Sequence, residues 1–303
     1  SASKDLIHPD SLALAGDGTP VVTSHRERKK RICNCKENGI TECDCNRFFS
    51  QPDCDMGWDS SRDCFYHGYD LYMLVDSQSD LPVFPHFSCA SKHDSHGFLH
   101  AFFRMRAFLP EYKVSKIILD SAHDAMPYYQ YFKRENITPF IDLNGKGGRP
   151  PVYKNDFTID NDGVPICPAG CRMHRDGIEA AKGRMKFKCP KMCRKNGCIS
   201  CTCETPCSDA KYGRTVHLVL NDNPRLFNNP PRSSEEWKKE YNARTSVERS
   251  NKREKIDFKL ESGRHRSTKM WYCRLYHTLM LQHLDAWDLP NESALRKLIQ
   301  RTA

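Results

Sequence analysis

The chain has 303 residues, of which 38% are hydrophobic, and carries 47 Lys and Arg against 38 Asp and Glu. This length supports one large domain or two ordinary ones, which excludes a small disulfide-stapled scaffold. No apolar run reaches the roughly 18 residues of a membrane-spanning helix, so we expect a soluble, globular protein with no membrane partner. The net charge of +9 favours a polyanionic partner, with nucleic acid as the first candidate.

The first third of the chain predicts mainly strands. Residues 11–17 predict a strand that runs into a turn and carries Asp17 at its tip. Residues 26–63 are polar, show no periodicity and predict an inserted loop. Two apolar runs follow, at 65–75 and 81–87, and the turn-forming residues between them predict an antiparallel pair.

A strand between two helices is predicted next. Residues 98–109 place apolar side chains at helical spacing. The short apolar run at 116–120 predicts a buried strand that ends, like the first one, in a carboxylate, Asp120. A second helix is predicted at 124–136, with its first residue as the N-cap, and a strand at 138–143 closes this α/β segment.

The composition changes after this segment. Residues 144–231 are rich in Gly, Pro, Cys, Lys and Arg and predict a basic insertion with too few apolar residues to fold alone. A Ser followed by Glu three residues later predicts the start of one long helix from Ser233 to about Lys255, and an apolar helix is expected at 271–287. The predicted core therefore comprises residues 1–143 and 232–303.

Twelve of the 16 cysteines form two clusters of closely spaced pairs. Paired thiols one to four residues apart suit tetrahedral zinc, whereas close pairs are poor disulfide partners for each other. A disulfide lattice is the alternative, but it is typical of short secreted chains, and Ser1–Lys4 opens no secretory signal. We therefore predict structural Zn²⁺. The candidate ligands are Cys33, Cys35, Cys43, Cys45, Cys167, Cys171, Cys189, Cys193, Cys198, Cys201, Cys203 and Cys207.

The predicted long helix contains four polar residues that are candidates for a functional site: Tyr241, Arg244, Glu248 and Lys255. At about 100° per residue they fall on one narrow stripe of the helix surface. A phenol, two cations and a carboxylate on one face suit a site that binds a metal ion and phosphates. The alternative is a solvated face with an Arg–Glu pair one turn apart, which is common on helices.

The spacing of these residues resembles the Y-x2-R-x3-E-x6-K signature of bacterial insertion-sequence transposases of the DDE class. The resemblance extends to strand segments around the two predicted tip carboxylates and to the run between them. These segments are Gly16–Thr19, Tyr66–Tyr69 and Ile118–Asp124. The resemblance implies an α/β, ribonuclease-H-like mixed sheet flanked by helices, with the Cys-rich insertion outside the shared pattern.

The resemblance also implies the activity. Asp17, Asp120 and Glu248 would be the catalytic carboxylates, binding two Mg²⁺ or Mn²⁺ ions for phosphodiester hydrolysis at element ends and strand transfer into target DNA. Tyr241, Arg244 and Lys255 would contact double-stranded DNA, with the protein as a homodimer in the DNA complex. A bacterial cytoplasmic, nucleoid-associated location would follow.

One further expectation concerns DNA, and two alternatives remain open. The basic run around Lys186 and Lys188 lies within the second cysteine cluster and is expected to contact DNA. A zinc-stabilised DNA-binding protein that has lost activity would share the charge and the cysteines. A nuclease of the same fold that cuts without joining would share the carboxylates as well.

Overall fold

A computed structural model describes most of the chain. It covers residues 5–24, 27–31, 33–43, 45, 47–49, 51, 53–145, 152–153, 156–160, 162–195 and 198–288. Side chains are described at these positions except at 27–31, 47–49, 152–153, 193–195, 198–200 and 288. The chain divides into two compact units, the first comprising Ser1–Ala122 with Ala243–Ala303 and the second His123–Asn242.

The regular elements alternate between strands and helices. The strands are β1 (Leu12–Val22), β2 (Glu27–Arg31), β3 (Arg47–Phe49), β4 (Asp55–Asp59), β5 (Cys64–Asp76), β6 (Pro82–Cys89), β7 (Val114–Leu119), β8 (Thr138–Ile141), β9 (Val152–Tyr153), β10 (Phe157–Ile159), β11 (Pro165–Ile166), β12 (His174–Glu179), β13 (Arg184–Lys188), β14 (Met192–Lys195), β15 (Cys198–Cys201) and β16 (Thr215–Val219). The α-helices are α1 (Asp94–Phe108), α2 (Met126–Arg134), α3 (Glu235–Asn242), α4 (Thr245–Lys252) and α5 (Thr268–Asp288).

The first unit is built on a mixed sheet. Strand β1 pairs antiparallel with β5 and parallel with β7, while β4 and β6 occupy successive halves of the other edge of β5. Strand β5 is buried from Tyr66 to Asp76, which explains its nearly continuous run of aromatic and aliphatic residues. The antiparallel pair predicted from the two apolar runs is confirmed as β5 and β6.

Helices cover both faces of this sheet. On one face, Phe98 of α1 packs against Tyr72 with ring centroids 5.9 Å apart. A Cβ on Gly97 would lie 2.9 Å from Tyr72 Cβ, so glycine permits this close approach. On the other face, the Tyr272 hydroxyl of α5 accepts a hydrogen bond from the Phe87 backbone at 2.9 Å. The predicted α/β class, a mixed sheet flanked by helices, is confirmed.

Two local predictions for the first unit are wrong. Strand β1 does not turn at Asp17 but continues to Val22, because β5 pairs with it as far as that residue. The segment 26–63 is not only a loop, since it contains β2 and β3, which pair with each other, and β4. Cross-strand pairing supplies order that the polar sequence of this segment did not indicate.

The second unit has a hydrophobic core of its own, around Phe157, Met185, Phe187 and Leu218. The unit contains small antiparallel sheets in the orders β11-β10-β9, β12-β13-β16 and β14-β15. The segment therefore has a hydrophobic core, and its inability to fold alone stays a prediction. The predicted insertion, residues 144–231, lies within this unit, and its boundaries stay a prediction.

A buried polar network orders the residues before α2. The predicted N-cap, Asp124, does not cap the helix, which begins after Ala125 without a side-chain cap. Its carboxylate instead accepts hydrogen bonds from the Tyr129 hydroxyl at 2.9 Å and from Arg225 at 2.7 Å. Arg232 donates to the same Tyr129 oxygen at 2.8 Å. Pairing of the buried carboxylate with cations offsets its desolvation.

The predicted long helix from Ser233 to Lys255 is also wrong. It is two helices, α3 and α4, which belong to different units and are separated by a turn at residues 243–244. The N-terminal cap of α3 comes from Ser234, whose hydroxyl accepts a hydrogen bond from the Trp237 backbone at 3.2 Å, rather than from Ser233.

Candidate active site

The parallel register of β1 and β7 brings two predicted site residues together. Ala15 of β1 lies opposite Ile118 of β7. Continuing this register by two residues sets Asp17 beside Asp120, which directly follows the end of β7. Because β7 stops one residue before Asp120 while β1 continues, the two carboxylates lie where the pairing of β1 with β7 ends.

A third carboxylate joins this pair. Asp94 is the first residue of α1, and one carboxylate oxygen from each of Asp17, Asp94 and Asp120 lies within 4.8 Å of the other two. Asp94 is not among the residues predicted from the sequence. Its one signal is its place at the start of a helix, where acids are common because their charge interacts favourably with the helix dipole.

Burial and mutual repulsion make ionisation of this cluster costly. The pKa of Asp17 is raised from 3.8 to about 7, first by burial and further by Asp120, Asp94 and Glu248, whereas Arg244 opposes the shift. A group with this pKa would release its proton readily if a cation were bound nearby. The electrostatics of the cluster therefore suit a divalent cation.

Arg244 connects Asp17 with Glu248. Arg244 is the N-cap residue of α4, and its guanidinium donates to Asp17 Oδ2 at 3.3 Å and to Glu248 Oε1. Glu248 does not belong to the group of three aspartates, but it shares the guanidinium of Arg244 with Asp17. The Glu248 side chain is 49% exposed, so it is accessible from solvent.

The two other residues of the predicted stripe lie in different surroundings. Lys255 follows α4 in a single π-helical turn, Arg253–Asp257, where its ammonium donates to the Pro20 carbonyl at 2.7 Å and pairs with Glu261 at 3.3 Å. Tyr241 lies in α3 of the second unit and stacks on Trp237, with ring centroids 4.7 Å apart. The single polar stripe on one helix is therefore wrong, because the predicted helix is broken.

A cleft of about 430 Å³ opens over the carboxylates. Its lining combines the acids with polar and cationic groups, including Thr19, Ser60, Ser61 and Lys92. Trp58 of β4, 51% exposed, also lines it. A cleft that combines carboxylates for a cation with a cation for phosphate suits a phosphodiester substrate.

The first cysteine cluster converges. The sulfur atoms of Cys33, Cys35, Cys43 and Cys45 all lie within 4.8 Å of one another. Two cross pairs, Cys33 with Cys43 and Cys35 with Cys45, have sulfur separations of 3.6 Å. The Cys45 backbone amide lowers the pKa of Cys43 to about 7, and the Cys45 thiol raises that of Cys35 to about 12. Among the described residues, no cysteine forms a disulfide bond.

The second cysteine cluster is looser. Among the described side chains, no three of its sulfur atoms lie within 4.8 Å of one another. The Cys203 backbone donates to Cys201 Sγ at 3.4 Å, and Cys167 is buried in the core of the second unit. The side chains of Cys193 and Cys198 lie outside the described part of the structure. The remaining predicted ligands are Cys171, Cys189 and Cys207, of which Cys189 is buried.

The two lysines predicted to contact DNA share an acidic partner. Lys186 and Lys188 lie on the same face of β13, and their ammonium groups pair with Asp176 at 2.9 and 2.7 Å. Hydrogen bonds from these two lysines lower the pKa of Asp176 to about 2. Both lysines are partly exposed, so a phosphate could compete with Asp176 for them.

A family model described as transposase DDE domain matches residues 9–282, which is most of the chain. No curated protein matches the sequence. Among the described residues, no helix has the length and hydropathy needed to cross a membrane. The match agrees with the mixed sheet and with the carboxylates at its centre, as in a ribonuclease-H-like fold. The chain therefore belongs to the transposase DDE domain family.

Proposed function

We propose that the protein is a DNA transposase that hydrolyses phosphodiester bonds at element ends and transfers the freed strand into target double-stranded DNA. Asp17, Asp120 and Glu248 are its proposed catalytic carboxylates. The observation that carries the proposal is the convergence of Asp17 and Asp120 at the β1 edge, with Arg244 bonded to both Asp17 and Glu248.

The donor set fits Mg²⁺ or Mn²⁺. These ions prefer carboxylate oxygens, and Asp17 and Asp120 offer oxygens within 4.8 Å of each other beside an open cleft. When bound, two such ions would lower the pKa of a water molecule and neutralise charge on the leaving oxygen. The raised pKa of Asp17 supports this fit, because crowded carboxylates gain most from a cation.

The surrounding residues position the carboxylates and the DNA. Arg244 directs Glu248 towards Asp17 through its two hydrogen bonds. Lys92 in the cleft supplies a cation for a backbone phosphate. Arg244, Lys255 and Tyr241 are proposed to contact the DNA backbone, which requires Lys255 to exchange its bond to Glu261 for a phosphate oxygen.

A strand-cleavage and joining assay tests the proposal. The full chain is incubated with labelled duplex DNA carrying the element ends and a target plasmid, with Mg²⁺, Mn²⁺ or EDTA. Metal-dependent nicking at the ends followed by joined products is expected. Nicking without joining would identify a nuclease, and DNA binding without nicking would favour the inactive DNA-binding alternative.

We also propose that Cys33, Cys35, Cys43 and Cys45 bind one structural Zn²⁺. Zinc–sulfur bonds of about 2.3 Å in a tetrahedron require sulfur separations of about 3.8 Å, close to the two cross pairs at 3.6 Å. The doubly substituted variant Cys33→Ser, Cys43→Ser is expected to contain one zinc fewer than the wild type, measured by plasma mass spectrometry.

The control for this prediction is Cys64→Ser with Cys273→Ser. Both cysteines are exposed and lie outside the clusters, so their replacement should leave the zinc content unchanged. Equal zinc in the wild type and the Cys33, Cys43 variant would contradict the site. Disulfide bonds between these cysteines in the purified protein would favour the alternative of a disulfide lattice.

For the second unit, we propose that Lys186 and Lys188 contact DNA phosphates. The variant Lys186→Glu, Lys188→Glu is expected to bind DNA more weakly and to reduce the slope of log K against log salt by up to about two, since each lost phosphate contact removes about one. Fluorescence anisotropy between low and high salt measures this slope. Lys186→Gln, Lys188→Gln separates loss of contact from added repulsion.

Lys113→Glu is the matched control for the lysine variants. Lys113 is also exposed and paired with an acid, Asp10 at 3.5 Å, but it belongs to the first unit. Its replacement should leave the slope as in the wild type. An unchanged slope in the Lys186, Lys188 variant would remove these residues from the DNA interface.

We further propose that residues 144–231 are an insertion in a catalytic core of 1–143 and 232–303.

A further inference from the structure

Helix α5 is apolar on its exposed side as well as on its buried side. Trp271, Leu275 and Leu279 pack towards the core of the first unit and are at most 6% exposed. The other side carries large apolar side chains that are 39 to 53% exposed, namely Tyr276, Met280, Leu281, Leu284 and Trp287. A helix that is apolar all round is typically covered on every side. The described part of the first unit covers only one side of α5.

Five exposed residues on this side form a narrow seam along the helix. These residues are Cys273, Tyr276, Met280, Leu284 and Trp287. At about 100° per residue they fall within about 80° of one another, and their steps of three and four residues are typical of helices that pack side by side. The seam is symmetric about Met280, because the other four residues lie four and seven positions before and after it.

The charges around the seam are also arranged for an antiparallel partner. The sequence has no Lys, Arg, Asp or Glu between Arg274 and Asp285. These two residues lie about 20° apart around the helix, on the same side of the seam. Asp285 pairs with Arg253 at 3.1 Å but stays 51% exposed. A second α5 running in the opposite direction would therefore bring Arg274 of each copy close to Asp285 of the other.

The exposed apolar area is large enough for a partner. The apolar side chains of this side, with Cys273, expose roughly 500 Å² in total, and patches of this size on soluble proteins mark interaction sites. With its polar rim, a contact between two such patches would bury about 1,200 Å² in both copies together, which is the lower end for a specific protein interface. The area therefore suits a small dimer interface.

We propose that α5 is the contact surface of a homodimer, in which two copies of the chain pack their α5 helices antiparallel with Met280 at the two-fold axis. A two-fold contact requires a patch that is complementary to itself, which the symmetric seam provides. Tyr276 of each copy would meet Leu284 of the other, and Cys273 would meet Trp287. This dimer forms without DNA, so the inference goes beyond the proposed function and does not depend on it.

Sedimentation equilibrium of the full chain, without DNA, tests the inference. The wild type is expected to dimerise in the micromolar range. Met280→Glu is expected to raise the dimer dissociation constant at least about a hundredfold, because two carboxylates would then meet at the axis inside an apolar contact. Met56→Glu is the matched control, since Met56 is an exposed methionine of β4 in the same unit, and it should dimerise as the wild type does.

A charge-swap experiment separates a lost contact from a damaged fold. Met280→Glu and Met280→Lys should each be monomeric, and their mixture should form a heterodimer because unlike charges then meet at the axis. A mixture that stays monomeric contradicts the position of the axis. A monomeric wild type would mean that another protein or another part of the chain covers the seam, and a dimer unaffected by Met280→Glu would place the interface elsewhere. Either result overturns the inference.

Discussion

Glu248→Gln is expected to lower the rate of Mg²⁺-dependent strand cleavage by at least about a thousandfold. The amide keeps the shape of the side chain but removes the charge that would bind the cation. Loss of about 4 kcal/mol of transition-state stabilisation corresponds to that factor. Asp17→Asn and Asp120→Asn should show losses of similar size, because each removes a carboxylate from the same edge of the sheet.

The measurement is single-turnover cleavage of end-labelled DNA, with DNA binding and thermal unfolding measured on the same samples. Glu236→Gln is the matched control, since Glu236 is an exposed glutamate in the first turn of α3. Its activity should equal that of the wild type. Retained cleavage in Glu248→Gln, with a normal fold, would remove Glu248 from the catalytic set and undermine the proposed function.

Glu254→Gln is expected to make the protein more stable than the wild type at alkaline pH. Glu254 is completely buried, and burial raises its pKa from 4.5 to about 8, although Gln282 Nε2 donates to it at 3.1 Å. The folded protein therefore holds a proton that the unfolded chain releases above about pH 4.5. Its stability falls as pH rises from there to about 8, where the buried group must ionise.

The size of this effect follows from the shift. Raising the pKa of Glu254 from 4.5 to about 8 costs roughly 5 kcal/mol once the pH exceeds the folded-state value, at about 1.4 kcal/mol per pH unit. Glutamine resembles the protonated acid, so the variant lacks this loss. Urea unfolding at pH 5 and pH 8.5 should give similar free energies of unfolding at the lower pH and a clear gain for the variant at the higher one.

Asp257→Asn controls for a general change in charge near α4, because Asp257 is exposed. Its stability should follow the pH dependence of the wild type. A Glu254→Gln variant that loses stability relative to the wild type at both pH values would show that the ionised carboxylate is stabilised in the fold. In that case Ser250 and Gln282, which share hydrogen bonds with Glu254, would be its stabilising partners.

Local patterns were sufficient for the buried strands β5, β6 and β7. Alternating or continuous apolar runs identified β5, β6 and β7, because burial of these strands requires such runs. The end of β1 was placed too early, since Gly16 and Gly18 look like turn residues until β5 pairs with them. These glycines do not form a turn. Because they lack a side chain, Tyr72 can lie close to Gly16 and Asp94 close to Gly18.

The break between α3 and α4 had no signal in the sequence. No Gly or Pro occurs from Glu235 to Lys252, and the polar periodicity continues across the turn. Contacts distant in sequence hold the start of α4, above all the hydrogen bond from Arg244 to Asp17. The four-residue signature was therefore recognisable by spacing, while its placement on one helix face was not correct.

The sequence alone determined the element types in residues 65–143, the spacing that predicts Asp17, Asp120 and Glu248 as the carboxylates, and the likeness of the four thiols in the first cluster to a zinc site. Each of these depends on residue type and short-range spacing, which local physical chemistry sets. The tertiary structure decided which acids converge. Asp94 joins Asp17 and Asp120 only through the docking of α1, because helix packing depends on contacts between residues far apart in the chain.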